Sequence, residues 1–170
     1  QVSYFQAKGY TVILCGDFNA RVGTAEDRPT ALGGEDRAAA VMEDGHLALP
    51  FCDLPPRVTA DQTPPNKMGK LLIEMCMVTG LAIMNGRVAG DETGKWTFIA
   101  DGRVGKSVVD YVLGPQSIVL HGRTRLEIME ESSCPKRPGN LSFDHMPLSL
   151  FIPYGAERSF EGSDSESNAR

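Results

Sequence analysis

Four short segments place chemically able side chains at the ends of apolar runs or in the loops beside them. They are GDFN with Asp17 and Asn19, the TF pair with Thr97, VVDYVL with Asp110, and SFDH with Asp144 and His145. Asp110 is the most telling. A carboxylate inside Val-Val-Asp-Tyr-Val-Leu is costly to bury alone and then needs a partner or a metal. If that strand has one wet face, plain alternation accounts for it instead. Asp17 follows an apolar run, where Asp also serves as a turn or helix-cap residue. A lone histidine such as His145 is more often a surface or satisfied side chain than a catalyst. None of these residues decides a function singly; their combination and order do.

The elements that must position them can be read from periodicity. An amphipathic segment opens the chain and turns at Gly9. The run Thr11-Val12-Ile13-Leu14-Cys15, stopped by Gly16, predicts a buried strand whose end delivers Asp17 and Asn19. Residues 24–65 are rich in Gly, Pro, Thr and acids and read as a long insertion, with LALPFCDLPP as a short extended piece. Asn66 caps a helix in which Leu71, Leu72, Met75, Cys76 and Val78 recur at helical spacing, and Gly80 ends it. Met68, Met75, Met77 and Met84 around this helix read as core packing. LAIMNG follows as a strand, and KWTFIA and SVVDYVL predict two antiparallel strands around the loop DGRVGK. SIVLHGRTRLEIM carries two more extended runs, and LSFDHMPLSLFIP is the last strand, broken by Pro153. The expected organisation is a β-rich α/β domain over residues 1–153 and a disordered tail over 154–170.

Composition narrows the function. The 170 residues, 41% hydrophobic and 23% charged, suit one soluble globular domain. Lys plus Arg at 17 against Asp plus Glu at 22 gives a net charge of −5, which argues against a passive, histone-like grip on nucleic acid. A local basic groove, or a metal supplying positive charge, stays open. No apolar stretch is long enough to span a bilayer and the N-terminus has no signal pattern, so membrane and secreted readings are set aside for an intracellular one, the nucleus included. The cysteines Cys15, Cys52, Cys76 and Cys134 are scattered and read as reduced, mostly buried thiols. Residue 1 is Gln, from which a processed or truncated start is expected.

GDFNAR, WTF followed by SVVDYVL, and SFDHMPLSL, in that order and spacing, resemble the endonuclease/exonuclease/phosphatase (DNase I-like) superfamily. The stretch NKMGKLLIEMCMVTGLAIMNG looks most like its non-LTR retrotransposon branch, close to the abasic-site endonucleases. The resemblance covers residues 11 to about 152. It implies a DNase I-like α/β sandwich and metal-dependent phosphodiester hydrolysis, with DNA as partner and Mg²⁺ or Mn²⁺ as cofactor. By the same resemblance, Asp17 would orient or deprotonate the attacking water, or protonate the leaving group. Asn19 would hydrogen-bond a non-bridging phosphate oxygen. Asp110 would accept a hydrogen bond from one ring nitrogen of His145, while the other nitrogen meets the phosphate. Asp144, with Asp17 and Asn19, would supply oxygen ligands to the cation. Thr97 and Ser107 flank the loop 100–106, which lies near DNA in that branch, making Arg103 and Lys106 expected phosphate contacts.

The family's N-terminal half, with its principal metal-binding Glu, has no counterpart here; Glu26 and Glu35 follow GDFN and do not match. The chain therefore reads as the second half of such a domain. That predicts an uncovered sheet face prone to self-association, and little or no nicking by these residues alone. The alternatives are a phosphatase of the same superfamily, separable through the basic loops at Arg103–Lys106 and Lys136-Arg137, and an inactive fragment. ADGRVGKS resembles a phosphate-binding P-loop, but Ala100 replaces its first Gly and a β-branched run replaces the following helix.

Overall fold

The computed structural model describes residues 1–27, 54–100, 105–130 and 144–153. In chain order the elements are α1 (Val2–Ala7), β1 (Leu14–Asp17), α2 (Lys67–Thr79), β2 (Leu81–Ile83), β3 (Phe98–Ile99), β4 (Lys106–Ser107), β5 (Asp110–Pro115), α3 (Gln116–Val119), β6 (Arg125–Ile128) and β7 (Leu148–Phe151). The class is mixed α/β with small antiparallel sheets. β1, β5 and β2 form a three-stranded sheet in that order, β3 pairs with β4, and β6 pairs with β7. Arg103, Lys136, Arg137, Glu35, Cys52, Cys134, residues 47–53 of the proposed extended piece and the proposed disordered tail lie outside the described residues, and residues 54–56 of that piece form no strand.

β5 is the axis of the fold. Its side chains alternate between two apolar clusters, as the period of two requires. Tyr111 and Leu113 join Leu81, Ile83, Val22 and the α2 residues Leu72 and Cys76 on one face. Val112 joins Ala82, Met84, Val119 and the β6 residue Leu126 on the other, with Leu148 and Leu150 of β7 packed against it. Residues 111–113 form an unbroken apolar run because both their faces are covered. The expected bare sheet face is thus absent at the central strand: α2 covers one side and the β6–β7 ribbon the other.

α2 follows its sequence signals. The Asn66 side chain caps it by accepting from Gly69 N at 2.7 Å, and Gly80 closes it in the left-handed region at φ 68°. Gly69 is required for a different reason. A Cβ there would sit 1.9 Å from the Arg21 carbonyl oxygen, so only glycine lets the first turn of α2 rest on the backbone that follows β1.

Several expectations are corrected. β1 starts at Leu14, runs through Gly16 to Asp17, and is an exposed edge strand rather than a buried one, because only β5 pairs with it among the described residues. Cys15 on it is accordingly exposed, while Cys76 is buried. The antiparallel hairpin of KWTFIA with SVVDYVL forms only at its start: Phe98 pairs with Ser107 and Ile99 with Lys106, and from Val108 the chain leaves β3 and crosses into the other sheet as β5. The Thr97 hydroxyl drives this break by accepting from both Val109 N and Asp110 N at 3.0 Å, which removes those donors from any ladder with β3. SIV is helical, not extended: it forms the single turn α3 after Pro115 and buries Val119 against the β5 face, so tertiary packing overrides its β-branched preference. Met68 and Met77 of α2 are exposed, against the core reading, whereas Met84 is buried.

Candidate active site

The β1–β5 register sets Asp17 opposite Asp110. Phe18 N donates to Val109 O at 3.0 Å, and Asp110 N turns away to Thr97 Oγ1. Asp17 and Asp110 therefore form a non-hydrogen-bonded pair, the type in which facing side chains come closest, with Cβ atoms about 4.5–5.5 Å apart. Two like charges so placed repel. Such an arrangement calls for a positive group between them.

His145 stands there. Its Nδ1 lies 3.1 Å from each carboxylate oxygen of Asp110. The aspartate side chain is 9% exposed and the imidazole 41%, so one end of the pair is anchored inside and the other meets solvent. The imidazole is held from several directions. Phe98 of β3 bridges to His145 and its ring meets the imidazole edge-on, with centroids 5.1 Å apart. Ile99 N donates to Asp144 O and Met146 N to Thr97 O, both at 2.7 Å, so the segment 144–146 is stitched along β3 before the chain enters β7.

Asp17 is exposed, and its Oδ1 accepts from Asn19 N at 2.8 Å. Asn19 is the one described non-glycine residue at positive φ, 51°, a conformation asparagine tolerates better than most. Asp144 is exposed, and its Oδ1 accepts from His145 N at 3.1 Å. Among the described residues, the group able to hold a metal ion is Asp17, Asp110 and His145, each offering one ligand atom, all within 4.8 Å of one another. Asp144 is outside that group. Two carboxylates and an imidazole are a donor set that fits a divalent cation.

The proposed substrate-binding residues divide. Lys106 is exposed beside the site, and its carbonyl accepts from the Arg21 guanidinium at 3.0 Å. Thr97 and Ser107 are buried, and the Thr97 hydroxyl is already committed to two backbone donors. Thr97 thus supports the start of β5 from beneath and does not present its hydroxyl to a substrate.

Sequence reasoning passed over the residues that brace this site. Arg21 pairs with Asp61 at 3.0 Å, and Asp61 also accepts from Val108 N, tying the segment after GDFN to the crossover into β5. The buried Asn85 receives Val112 N at 2.9 Å and donates to Asp110 O at 3.2 Å, fixing the backbone on both sides of Tyr111. The Tyr111 hydroxyl donates to Val108 O at 2.6 Å and accepts from Val22 N at 3.3 Å. Burial pushes that phenol up to about 12, so at neutral pH it is a fixed, uncharged strut. Arg21 was visible in GDFNAR and Asn85 in the N-G ending of LAIMNG, but Asp61 fell in a stretch with no periodicity.

Among the described residues no helix is long and apolar enough to cross a membrane. Comparison with protein-family models, curated proteins and solved structures gives no match to this chain.

Proposed function

We propose that this chain carries a phosphodiester-hydrolysing site of the DNase I-like kind, belonging to a DNA endonuclease of retroelement origin that works inside the cell. The observation that carries the reading is the Asp110–His145 pair held against Asp17 by sheet register. The motif resemblance and the two-faced packing of the β1–β5–β2 sheet are in keeping with part of an α/β sandwich.

In this reading Asp110 accepts the Nδ1 proton of His145, fixing the ring's tautomer and orientation and stabilising its charged form. Nε2 is then directed to the phosphate. Asp17, exposed at the end of β1, orients and deprotonates the attacking water, and Asn19 offers its side-chain amide to a non-bridging oxygen. Lys106 contacts a neighbouring phosphate of the DNA backbone. Asp17, with Asn19 and Asp144, would hold Mg²⁺ or Mn²⁺, which supplies charge neutralisation at the phosphate and at the leaving oxygen.

The test is nicking of supercoiled plasmid by the whole chain with Mg²⁺ or Mn²⁺. Little or no nicking is expected from these residues alone; restoring an N-terminal half with a metal-binding Glu should bring it back, abolished by EDTA and lowered by about 10²–10⁴ on His145→Ala. Asp17→Asn should be equally damaging. Nicking indifferent to both substitutions, or its absence from the restored protein, overturns the proposal. Release of inorganic phosphate from monoesters in place of nicking would favour the phosphatase alternative.

A further inference from the structure

The same cluster has a second chemical capacity, set by its nitrogen. Mg²⁺ takes oxygen ligands and keeps much of its water, so an imidazole adds little to its binding. One imidazole with two carboxylates is the donor class of borderline ions such as Zn²⁺. Spacing agrees with chemistry. Two ligands bound at about 2.0–2.2 Å and roughly 90–110° apart around one ion stand about 3.0–3.5 Å from each other. His145 Nδ1 and the Asp110 oxygens are 3.1 Å apart as a hydrogen bond, so the ligand-to-ligand distance is already right, but the carboxylate must swing off the Nδ1 lone-pair axis to admit an ion. Asp17 can complete the set. Asn19 N donates to its Oδ1, the side chain is exposed, and one of its oxygens lies within 4.8 Å of the other two ligand atoms. The three ligands come from β1, β5 and the segment stitched along β3, so paired strands hold them at this spacing before any ion arrives.

We propose that Asp17, Asp110 and His145 form a site for Zn²⁺ or a similar borderline divalent ion, bound through His145 Nδ1 and one oxygen of each carboxylate. The ion and the Nδ1 proton compete for the same lone pair. On binding, that proton leaves to solvent and the Asp110–His145 hydrogen bond is lost. Binding by these residues stands apart from the phosphodiesterase reading. The consequence that such an ion shuts the site off rests on it.

Calorimetric titration of the whole chain with zinc chloride, without DNA, tests the binding. One ion per chain is expected, with affinity at least tenfold weaker in His145→Ala, Asp110→Asn and Asp17→Asn. It should be unchanged in His121→Ala, which removes an exposed imidazole elsewhere, and in Cys15→Ser, which removes the exposed thiol on β1. Should a variant fail to fold, the wild-type chain still decides the point. Cobalt(II) must give a visible spectrum without thiolate charge-transfer bands, and zinc must shift the His145 imidazole resonances while leaving those of His121 in place. No binding, binding that survives loss of His145, or binding lost with Cys15 overturns the site. If zinc binds but leaves Mg²⁺-supported nicking intact, the exclusion is overturned. If zinc binds and no nicking exists to inhibit even with the N-terminal half restored, the phosphodiesterase reading and its inhibition fall together while the ion site stands.

Discussion

Asp110 shows how one carboxylate can be read in two ways until its neighbours are known. Its position in an apolar strand left open whether it faced water or needed a partner, and the structure gives it His145 as partner and Asp17 as opponent. The opposition has an energetic consequence. Neutralising one member should relieve repulsion, so Asp17→Asn is expected to raise stability by about 0.2–1 kcal/mol in metal-free urea unfolding while it removes nicking. A loss of stability on that substitution would mean the carboxylates do not repel. A second buried acid works in the other direction. Burial alone would raise the pKa of Asp27, but the hydrogen bond and charge of Arg87, 2.6 Å away, hold it below the ordinary value of 3.8. Because the folded value lies below the unfolded one, its stabilisation is complete above about pH 4 and fades as pH falls through the folded value. Asp27→Asn should therefore cost about 3–5 kcal/mol at neutral pH and flatten the acid limb of the stability curve. An acid limb identical to wild type would show that Asp27 does not titrate with unfolding.

The elements were unevenly legible, and the reasons are physical. α2 could be placed residue by residue because its start and stop are local chemistry: an asparagine that caps and a glycine that turns left. The GDFN, TF, VVDYVL and SFDH segments could be singled out for the same reason, as polar residues interrupting apolar runs. Which strands pair was not local. The hairpin of KWTFIA with SVVDYVL extends only to Ser107, because the Thr97 hydroxyl diverts the next two backbone donors, an effect that no periodicity displays. Single-turn α3 was missed because its β-branched residues favour extension and only packing against β5 makes it a helix. This gives Thr97 a sharp test. Thr97→Val keeps the shape but strands the N–H groups of Val109 and Asp110, and is expected to cost about 1–3 kcal/mol. Thr97→Ser should recover most of it, with chemical denaturation as the measurement. Equal stability of the valine and serine variants would remove the hydroxyl's role.

For the molecule as a whole, the expectation of self-association needs a different surface from the one first supposed. The central strand β5 is covered on both faces, and the exposed apolar side chains include Tyr4 and Phe5 of α1, Met68, Leu71 and Val78 of α2, and Phe151 of β7. β1 adds an exposed edge. We expect concentration-dependent association in sedimentation velocity, reduced when Leu71 and Val78 are both changed to Lys. A monodisperse monomer throughout would show that these surfaces stay solvated.

The strand pairing that sets Asp17 against Asp110 also makes the site intolerant of one particular kind of genetic change. Side chains on a strand alternate with a period of two, so inserting or deleting a single residue within Leu14–Asp17 would turn Asp17 from the His145 side toward the cluster containing Leu72 and Cys76. A change of two residues would restore its direction but offset it from Asp110. Substitutions along β1, which is exposed and contributes little to the core, can therefore accumulate with small effect on folding. Changes in its length cannot, because the strand's residue count is what aligns the two carboxylates.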